Sequence, residues 1–282
     1  MSVLSWNCRG LGGPRTVREL LDLVSKKRPD FVFLMETKSC SIRLESVRVR
    51  LGFEGLLCVD RVGMGGGLTL FWREKEMASL LSFSDNNIDV EVTLPGMAPW
   101  RLTGFYGHPE RSRICQSWDL LRTFSTRSDL PWAVIGDIND LANHAEKKGP
   151  IPHPDSLVRG FNEVLQECDL SDLGMSGYEF TWEKGRGTEH WIEERLDRAV
   201  ASTAWCNTYL ATSVQNILTL NSDHSAIILR LEDSLLRRGN RCFKFESAWI
   251  LDEECRRVGE HSWDFSRNLD FRQCVERCGN DL

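Results

Sequence analysis

Polar side chains follow or precede four short apolar runs in the first 231 residues. Six of them have types that can bind a cation, move a proton or hold a phosphate: Asn7, Glu36, Asp137, Asn139, Asp223 and His224. Oxygen atoms of carboxylates and amides are the ligands that Mg²⁺ prefers, and an imidazole exchanges a proton near neutral pH. Polar side chains at strand ends converge on one rim of a sheet, so their joint occurrence predicts a site.

Each of these residues has a plainer explanation when it is taken alone. Asp and Asn commonly follow a strand because they form turns, and Glu36 could cap the segment Thr37–Arg43. His224 is also compatible with a core histidine whose hydrogen bonds are satisfied. The predicted site therefore depends on the whole pattern and not on any one member.

The residues between these positions alternate between strand-like and helical patterns. Apolar runs at Val3–Cys8, Phe31–Met35 and Trp132–Gly136 predict buried strands, and Pro14 opens a helix with apolar residues at helical spacing. Residues 55–106 contain further strand-like runs separated by turn signals, which predict an antiparallel meander. This mixture predicts an α/β fold in which two packed mixed β-sheets are flanked by helices.

Composition and charge exclude several classes of protein. The chain has 282 residues, 41% hydrophobic and 27% charged, which is typical of a folded globular protein, and no apolar run is long enough to cross a membrane. The 35 Lys and Arg against 41 Asp and Glu exclude nucleic-acid binding by bulk positive charge. Ten cysteines without zinc-site spacing favour reduced thiols in an intracellular protein.

The composition changes after residue 231. Residues 1–231 hold all the predicted core strands and predict one domain, whereas residues 232–282 predict a charged linker and a helical tail. The tail has too few apolar residues to form a core of its own. Its aromatic residues include Phe243, Phe245, Trp249 and Trp263.

Six short motifs occur in order along the first domain. They are Ser5-Trp6-Asn7-Cys8-Arg9-Gly10-Leu11, Leu34-Met35-Glu36-Thr37-Lys38, Gly104-Phe105-Tyr106-Gly107, Gly136-Asp137-Ile138-Asn139, Arg195-Leu196-Asp197-Arg198 and Ser222-Asp223-His224. With them the chain resembles the endonuclease/exonuclease/phosphatase superfamily over residues 1–231, and within it the endonuclease domain of plant LINE-type (non-LTR) retrotransposons. The resemblance implies a four-layer α/β sandwich and a metal-dependent hydrolase of phosphodiester bonds.

The resemblance also implies how the cation and the attacking water are held. Glu36, Asn7 and Asp223 would bind Mg²⁺, or Mn²⁺ in its place, through oxygen atoms. Asp137 would orient and deprotonate the water, and Asn139 would position it or bind the phosphate. Phosphodiester cleavage needs both parts, because a cation neutralises developing charge and a base activates the nucleophile.

Three further residues are implied around the scissile phosphate. His224 would contact the phosphate as a cation or proton donor, and Asp197 would hold the imidazole ring. Tyr106 would contact the phosphate through its hydroxyl, although a core position is an equally good explanation for it. Asp197 could also be half of an exposed ion pair.

The chain departs from the family pattern at two places. Gly136-Asp137-Ile138-Asn139-Asp140 stands where members commonly have Gly-Asp-Phe-Asn-Glu, which keeps both functional side chains. Arg9 occupies the position at which repair-type relatives carry a second acidic metal ligand. This substitution argues against a site with two metal ions.

The resemblance therefore implies a DNA endonuclease that nicks one strand and exposes a 3′ hydroxyl for target-primed reverse transcription. DNA is the expected partner, with no membrane; a reverse-transcriptase region is expected in a full-length element but absent here, and the resemblance implies the nucleus. Two alternatives stay open. They are a phosphatase or phosphodiesterase of the same fold, and a non-catalytic retroelement remnant.

Overall fold

The structure is a computed structural model that describes residues 1–60, 66–231, 257, 258 and 260–263. The chain divides into two units, Met1–Glu232 and Asp233–Leu282, and all strands given below belong to the first. Apart from the six described residues between 257 and 263, the predicted linker and tail lie outside the described residues. None of the described helices is long and apolar enough to span a bilayer.

Fifteen strands and five α-helices form the described part of the first unit. They are β1 (Ser2–Asn7), β2 (Phe31–Met35), β3 (Gly55–Val59), β4 (Leu68–Trp72), β5 (Ala78–Ser84), β6 (Asn87–Val92), β7 (Trp100–Tyr106), β8 (Trp132–Asp137), β9 (Lys147–Lys148), β10 (Leu170–Asp172), β11 (Trp182–Lys184), β12 (Ile192–Glu194), β13 (Asp197–Ser202), β14 (Thr212–Ile217) and β15 (Ala226–Leu231). The α-helices are α1 (Pro14–Lys27), α2 (Ser41–Leu51), α3 (Ile114–Ser125), α4 (Asp155–Glu167) and α5 (Thr203–Thr208).

The strands form two six-stranded sheets and one small one. The first sheet has the order β14-β15-β1-β2-β4-β3, the second has the order β10-β13-β8-β7-β6-β5, and the small sheet has the order β11-β12-β9. In each large sheet one central pair is parallel, β1 with β2 and β7 with β8, and the other pairs are antiparallel. Both large sheets are therefore mixed, as the sequence predicts.

Alternation along the central strands produces a layered core. On β2, Phe31, Phe33 and Met35 enter the apolar cluster between the sheets, whereas Val32 and Leu34 join the cluster beneath α1 and α2. Successive side chains of a strand point to opposite faces of the sheet. A strand whose two faces are both buried therefore has apolar residues at nearly every position. A third cluster packs the second sheet against α3 and α4. The order is helix, sheet, sheet, helix, which confirms the predicted fold class.

Two local predictions differ from the structure. The meander predicted over residues 55–106 is divided, because β3 and β4 belong to the first sheet and β5 to β7 to the second. The sequence also predicts a strand at Trp191–Leu196, but the structure has only the short β12 there. The longer strand β13 follows it and is buried along its whole length. β13 contains the charged residue Arg198, which interrupts the apolar pattern from which a buried strand is predicted. Glu146 and Asp172 pair with Arg198 and compensate that charge.

Candidate active site

The two large sheets bring the carboxyl ends of their parallel strands to one edge of the sandwich. In the first sheet Asn7 ends β1 level with Met35, and Glu36 follows directly. In the second sheet Tyr106 ends β7 level with Asp137, which ends β8. Parallel neighbours end on the same side, so these polar residues face one another across the gap between the sheets.

The Asn7 amide joins the two sheets at this edge. Its buried Nδ2 donates one hydrogen bond to Glu36 Oε1 at 3.1 Å and a second to Asp137 Oδ2 at 3.0 Å. A primary amide has two N–H donors, and both are used here. Asn7 therefore fixes the position of two carboxylates relative to each other.

Glu36 has donors around both carboxylate oxygens. Oε1 also accepts a hydrogen bond from the Tyr106 hydroxyl at 3.1 Å, and Oε2 lies 3.0 Å from Lys38 Nζ and 3.6 Å from Arg9 Nε. Burial alone would raise the pKa of Glu36, but hydrogen bonds from Lys38 and Asn7 lower it below its ordinary value. Glu36 is therefore a charged carboxylate at neutral pH.

The backbone at this edge adopts an unusual conformation. Four non-glycine residues have left-handed φ angles near +50° to +60°: Arg9 (48°), Glu36 (49°), Lys38 (48°) and Asn139 (59°). Such angles are uncommon outside glycine and are concentrated at functional sites. Backbone hydrogen bonds from Thr37 to Gly67 and from Lys38 to Gly66 hold the turn that carries Glu36.

His224 lies between two buried carboxylates. Its Nδ1 is 2.9 Å from Asp197 Oδ2, and its Nε2 is 3.7 Å from Asp137 Oδ2. Burial opposes a charged imidazole, but the charges of Asp197 and Asp137 outweigh it and raise the pKa of His224 to about 9. The ligand atoms of these three side chains lie within 4.8 Å of one another, so they could also hold a metal ion.

Asp137 has the opposite shift to that of Glu36. Its removal from water raises the pKa to about 7, although the nearby His224 charge acts against this rise. The Asp137 side chain is buried, with hydrogen bonds from Asn7 Nδ2 and from the Asn139 backbone N–H at 3.1 Å. Its proton occupancy therefore changes close to neutral pH.

The loop after β8 is held tightly against the end of β7. Asn139 Nδ2 donates to the Gly107 carbonyl at 3.0 Å. A Cβ atom at Gly107 would lie 2.0 Å from the Ile138 carbonyl oxygen, which only glycine avoids. This close approach fixes Asn139 beside Asp137 at the site edge.

Asp223 reaches the same edge from the loop before β15. The Ser222 hydroxyl donates to the Asn7 carbonyl at 2.7 Å, which attaches this loop to β1. Asp223 Oδ2 accepts from Trp182 Nε1 at 3.1 Å and pairs with Arg9. Asp223 Oδ1 is buried and has no hydrogen-bond partner among the described residues. Asp223 is connected to Glu36 through Arg9.

A cleft with a volume of about 230 Å³ opens over these groups. Five of the eight residues predicted from the sequence line it: Glu36, Tyr106, Asp137, Asn139 and His224. Asn7 and Asp197 are buried behind it, and Asp223 lines a neighbouring pocket that shares Trp182 and His224 with the cleft. The eight predicted residues therefore lie around one edge.

A profile of the endonuclease/exonuclease/phosphatase family matches residues 4–224, which include every residue that lines the cleft. The chain belongs to this family. Members of the endonuclease/exonuclease/phosphatase family are hydrolases that act on phosphodiester bonds and use divalent metal ions. No curated protein sequence that was compared with the chain matches it.

Solved structures of DNA-processing enzymes have a similar fold. The 3′ phosphatase NExo from Neisseria, bound to a product DNA hairpin, is 17% identical with a TM-score of 0.63, over 82% of this chain and 99% of that one. An AP endonuclease from Archaeoglobus fulgidus is 14% identical with a TM-score of 0.65, over 83% and 100%. The endonuclease domain of TRAS1, a telomere-specific non-LTR retrotransposon, is 15% identical with a TM-score of 0.58, over 83% and 99%. At these identities the likeness shows the shared fold.

Several residues in or beside the cleft were not predicted as functional. Lys38 pairs with Glu36, and Trp182 hydrogen-bonds to Asp223. His153 lines the cleft near Asp140, with 3.4 Å between His153 Nε2 and Asp140 Oδ1. Lys38 belongs to the same motif as Glu36, and this proximity in sequence could have identified it as a site residue. Trp182 and His153 lie far from the motifs in sequence, so only the folded chain brings them to the cleft.

Proposed function

We propose that this chain is a divalent-metal-dependent DNA endonuclease that nicks one strand, as the endonuclease of a non-LTR retrotransposon does. The arrangement of Glu36 and Asp137 around the Asn7 amide carries this proposal. It provides one carboxylate that is charged at neutral pH and one carboxylate that exchanges a proton near pH 7. Metal-assisted hydrolysis requires one group of each kind.

The residues around Glu36 fit a hard divalent cation. Glu36, Asn7 and Asp223 offer oxygen atoms, and Asp223 Oδ1 is buried without a hydrogen-bond partner among the described residues. Mg²⁺ or Mn²⁺ accepts oxygen ligands of this kind and keeps several waters. When bound, the ion would neutralise negative charge on the phosphate and the departing oxygen. A buried orphan carboxylate oxygen is a group that a cation would satisfy.

The group of Asp137, Asp197 and His224 fits proton transfer better than metal binding. At neutral pH His224 carries a proton, because its pKa is raised to about 9, and the imidazolium already compensates the two carboxylates. A cation placed there would have to displace that proton. We therefore assign the ion to the Glu36 side of the cleft.

The chain's own residues would divide the chemistry between them. Asp137 would accept the proton of the attacking water, because a base with a pKa near the working pH is effective. Asn139 would hold that water or the phosphate. His224 would donate a hydrogen bond from Nε2 to the scissile phosphate, since Asp197 engages Nδ1 and keeps the ring oriented.

Tyr106 has a role besides the phosphate contact that the resemblance implies for it. Its hydroxyl donates to Glu36 Oε1, and burial next to Glu36 and Asp137 raises the pKa of the phenol above its ordinary value. Tyr106 therefore remains a hydrogen-bond donor at all working pH values. We propose that it orients Glu36 first and contacts phosphate only after substrate binding.

DNA nicking by the full chain tests the proposal. Supercoiled plasmid should be converted to the nicked circle with Mg²⁺ and remain intact with chelator, and a polymerase should extend the nick from its 3′ hydroxyl. Glu36→Ala should abolish nicking, whereas Glu163→Ala, on the exposed face of α4, should not. Equal nicking by folded Glu36→Ala protein would contradict the proposal. Phosphate release from a 3′-phosphorylated oligonucleotide without nicking would support the phosphatase alternative instead.

A further inference from the structure

Arg9 lies between the two carboxylates that the proposed function assigns to the metal ion. Its Nη1 pairs with Asp223 Oδ2, and its Nε lies 3.6 Å from Glu36 Oε2. The planar guanidinium presents N–H donors on several sides, so one side chain can contact two carboxylates together. Arg9 therefore occupies a position in which a cation is expected.

The oxygens of Glu36 are fully engaged in this arrangement. Oε1 accepts hydrogen bonds from Asn7 and Tyr106, and Oε2 has Lys38 and Arg9 next to it. An ion that coordinates Glu36 must displace at least one of these partners or share an oxygen with it. Arg9 has the weakest hold on Glu36, at 3.6 Å, and its side chain is 47% exposed. It is the partner that can move into the cleft.

The backbone conformation of the turn after β1 places the Arg9 side chain between Glu36 and Asp223. Arg9 has a φ of 48°, in the left-handed region that side-chain-bearing residues seldom adopt. The Arg9 backbone N–H donates to Asn7 Oδ1 at 3.4 Å, and the Ser222 hydroxyl donates to the Asn7 carbonyl. The same turn therefore positions both Asn7 and the Arg9 side chain at the site.

We propose that Arg9 is a resident counter-cation of the metal site, which competes with the divalent ion for Glu36 and Asp223. This inference rests on the proposed function, because it concerns the same carboxylates. While no ion is bound, Arg9 compensates part of the charge of the pair; when an ion binds, the guanidinium gives up its contacts. Arg9 thereby sets the metal concentration at which the site fills.

The test is a calorimetric titration of the full chain with Mn²⁺ in the absence of nucleic acid. Arg9→Gln should bind Mn²⁺ about ten-fold more tightly than the wild type, because a competing charge is removed at contact distance. Arg111→Gln is the matched control: Arg111 also lines the cleft but forms no ion pair with a described carboxylate. Its effect should stay below about two-fold, because exposed charges at longer range are screened.

A second readout is the rise in unfolding temperature that Mn²⁺ causes. Tighter binding to the folded state increases this rise, so it should be larger in Arg9→Gln than in the wild type and in Arg111→Gln. The competition is wrong if Arg9→Gln binds Mn²⁺ no more tightly than Arg111→Gln does. Failure of the proposed metal site gives a different result: Glu36→Gln would then bind Mn²⁺ as the wild type does, whatever Arg9→Gln shows.

Discussion

Glu36 and Asp137 accept hydrogen bonds from the same Asn7 nitrogen, yet their environments differ. Around Glu36 stand Lys38 and Arg9, and its pKa is lowered. Asp137 is buried deeper, beside the Asp197 carboxylate, and its pKa is raised to about 7. The neighbouring residues therefore shift the pKa values of these two carboxyl groups in opposite directions. Glu36 keeps its charge at neutral pH, whereas Asp137 exchanges a proton there.

The largest expected effect comes from neutralising these two carboxylates separately. Asp137→Asn should lower the nicking rate by about 10²–10⁴-fold, because the base is lost, and excess Mg²⁺ should not restore it. Glu36→Gln should be comparably slow, but increasing Mg²⁺ or Mn²⁺ should recover part of its rate, because only affinity for the ion is weakened. Rates measured over a metal titration check this. Equal metal rescue of both variants would remove the distinction between the two sides.

A smaller effect is expected within the pair His224 and Asp197. Asp197 contacts Nδ1 of the imidazole at 2.9 Å, and in our proposal it acts only through that ring. The double variant Asp197→Ala/His224→Ala should then be little slower than His224→Ala alone, because residues that act as a unit are not additive. Nicking rates of the four proteins at one Mg²⁺ concentration complete the cycle. Losses that multiply would show that Asp197 acts independently.

Stability should depend on pH through the same histidine. The folded pKa of His224, about 9, exceeds the ordinary value of 6.5, so the folded state binds more protons between these values. The contribution is complete below pH 6.5 and is lost as the pH rises through 9. In chelator, the free energy of unfolding should fall by about 3 kcal/mol over this window.

Urea unfolding at a series of pH values measures this fall. His224→Gln should flatten the dependence, whereas His190→Gln, at an exposed histidine, should leave it unchanged. The raised pKa of Asp137 has the same sign and extends the loss of stability down to about pH 4. A free energy of unfolding that rises between pH 6.5 and 9 would contradict the assigned charges.

The smallest effect is expected from removing the tail. All site residues lie before residue 232, and the proposed domain boundary leaves them on one side. A protein that ends at residue 233 should fold and nick plasmid at a rate near that of the full chain. Circular dichroism and the nicking rate check this prediction. Normal folding without nicking would assign the tail a part in DNA binding or in the site.

The sequence predicts best those parts of the molecule whose pattern is local. The apolar run of β2 and the polar residue that follows it identify both a buried strand and Glu36. β13 was missed because its buried Arg198 depends on Glu146 and Asp172, which are distant in sequence. The opposite pKa shifts of Glu36 and Asp137 could not be predicted for the same reason, since they depend on long-range contacts and burial.

The double hydrogen bond of Asn7 has a consequence for how activity appears during folding. Asn7 belongs to the first sheet and Asp137 to the second, and β1 pairs with β15, the last strand of the domain. A chain in which only one sheet has formed, or in which β15 has not yet paired with β1, does not bring all the site residues together. Cutting should therefore begin only after the sandwich closes, so that recovery of nicking during refolding times the docking of the sheets.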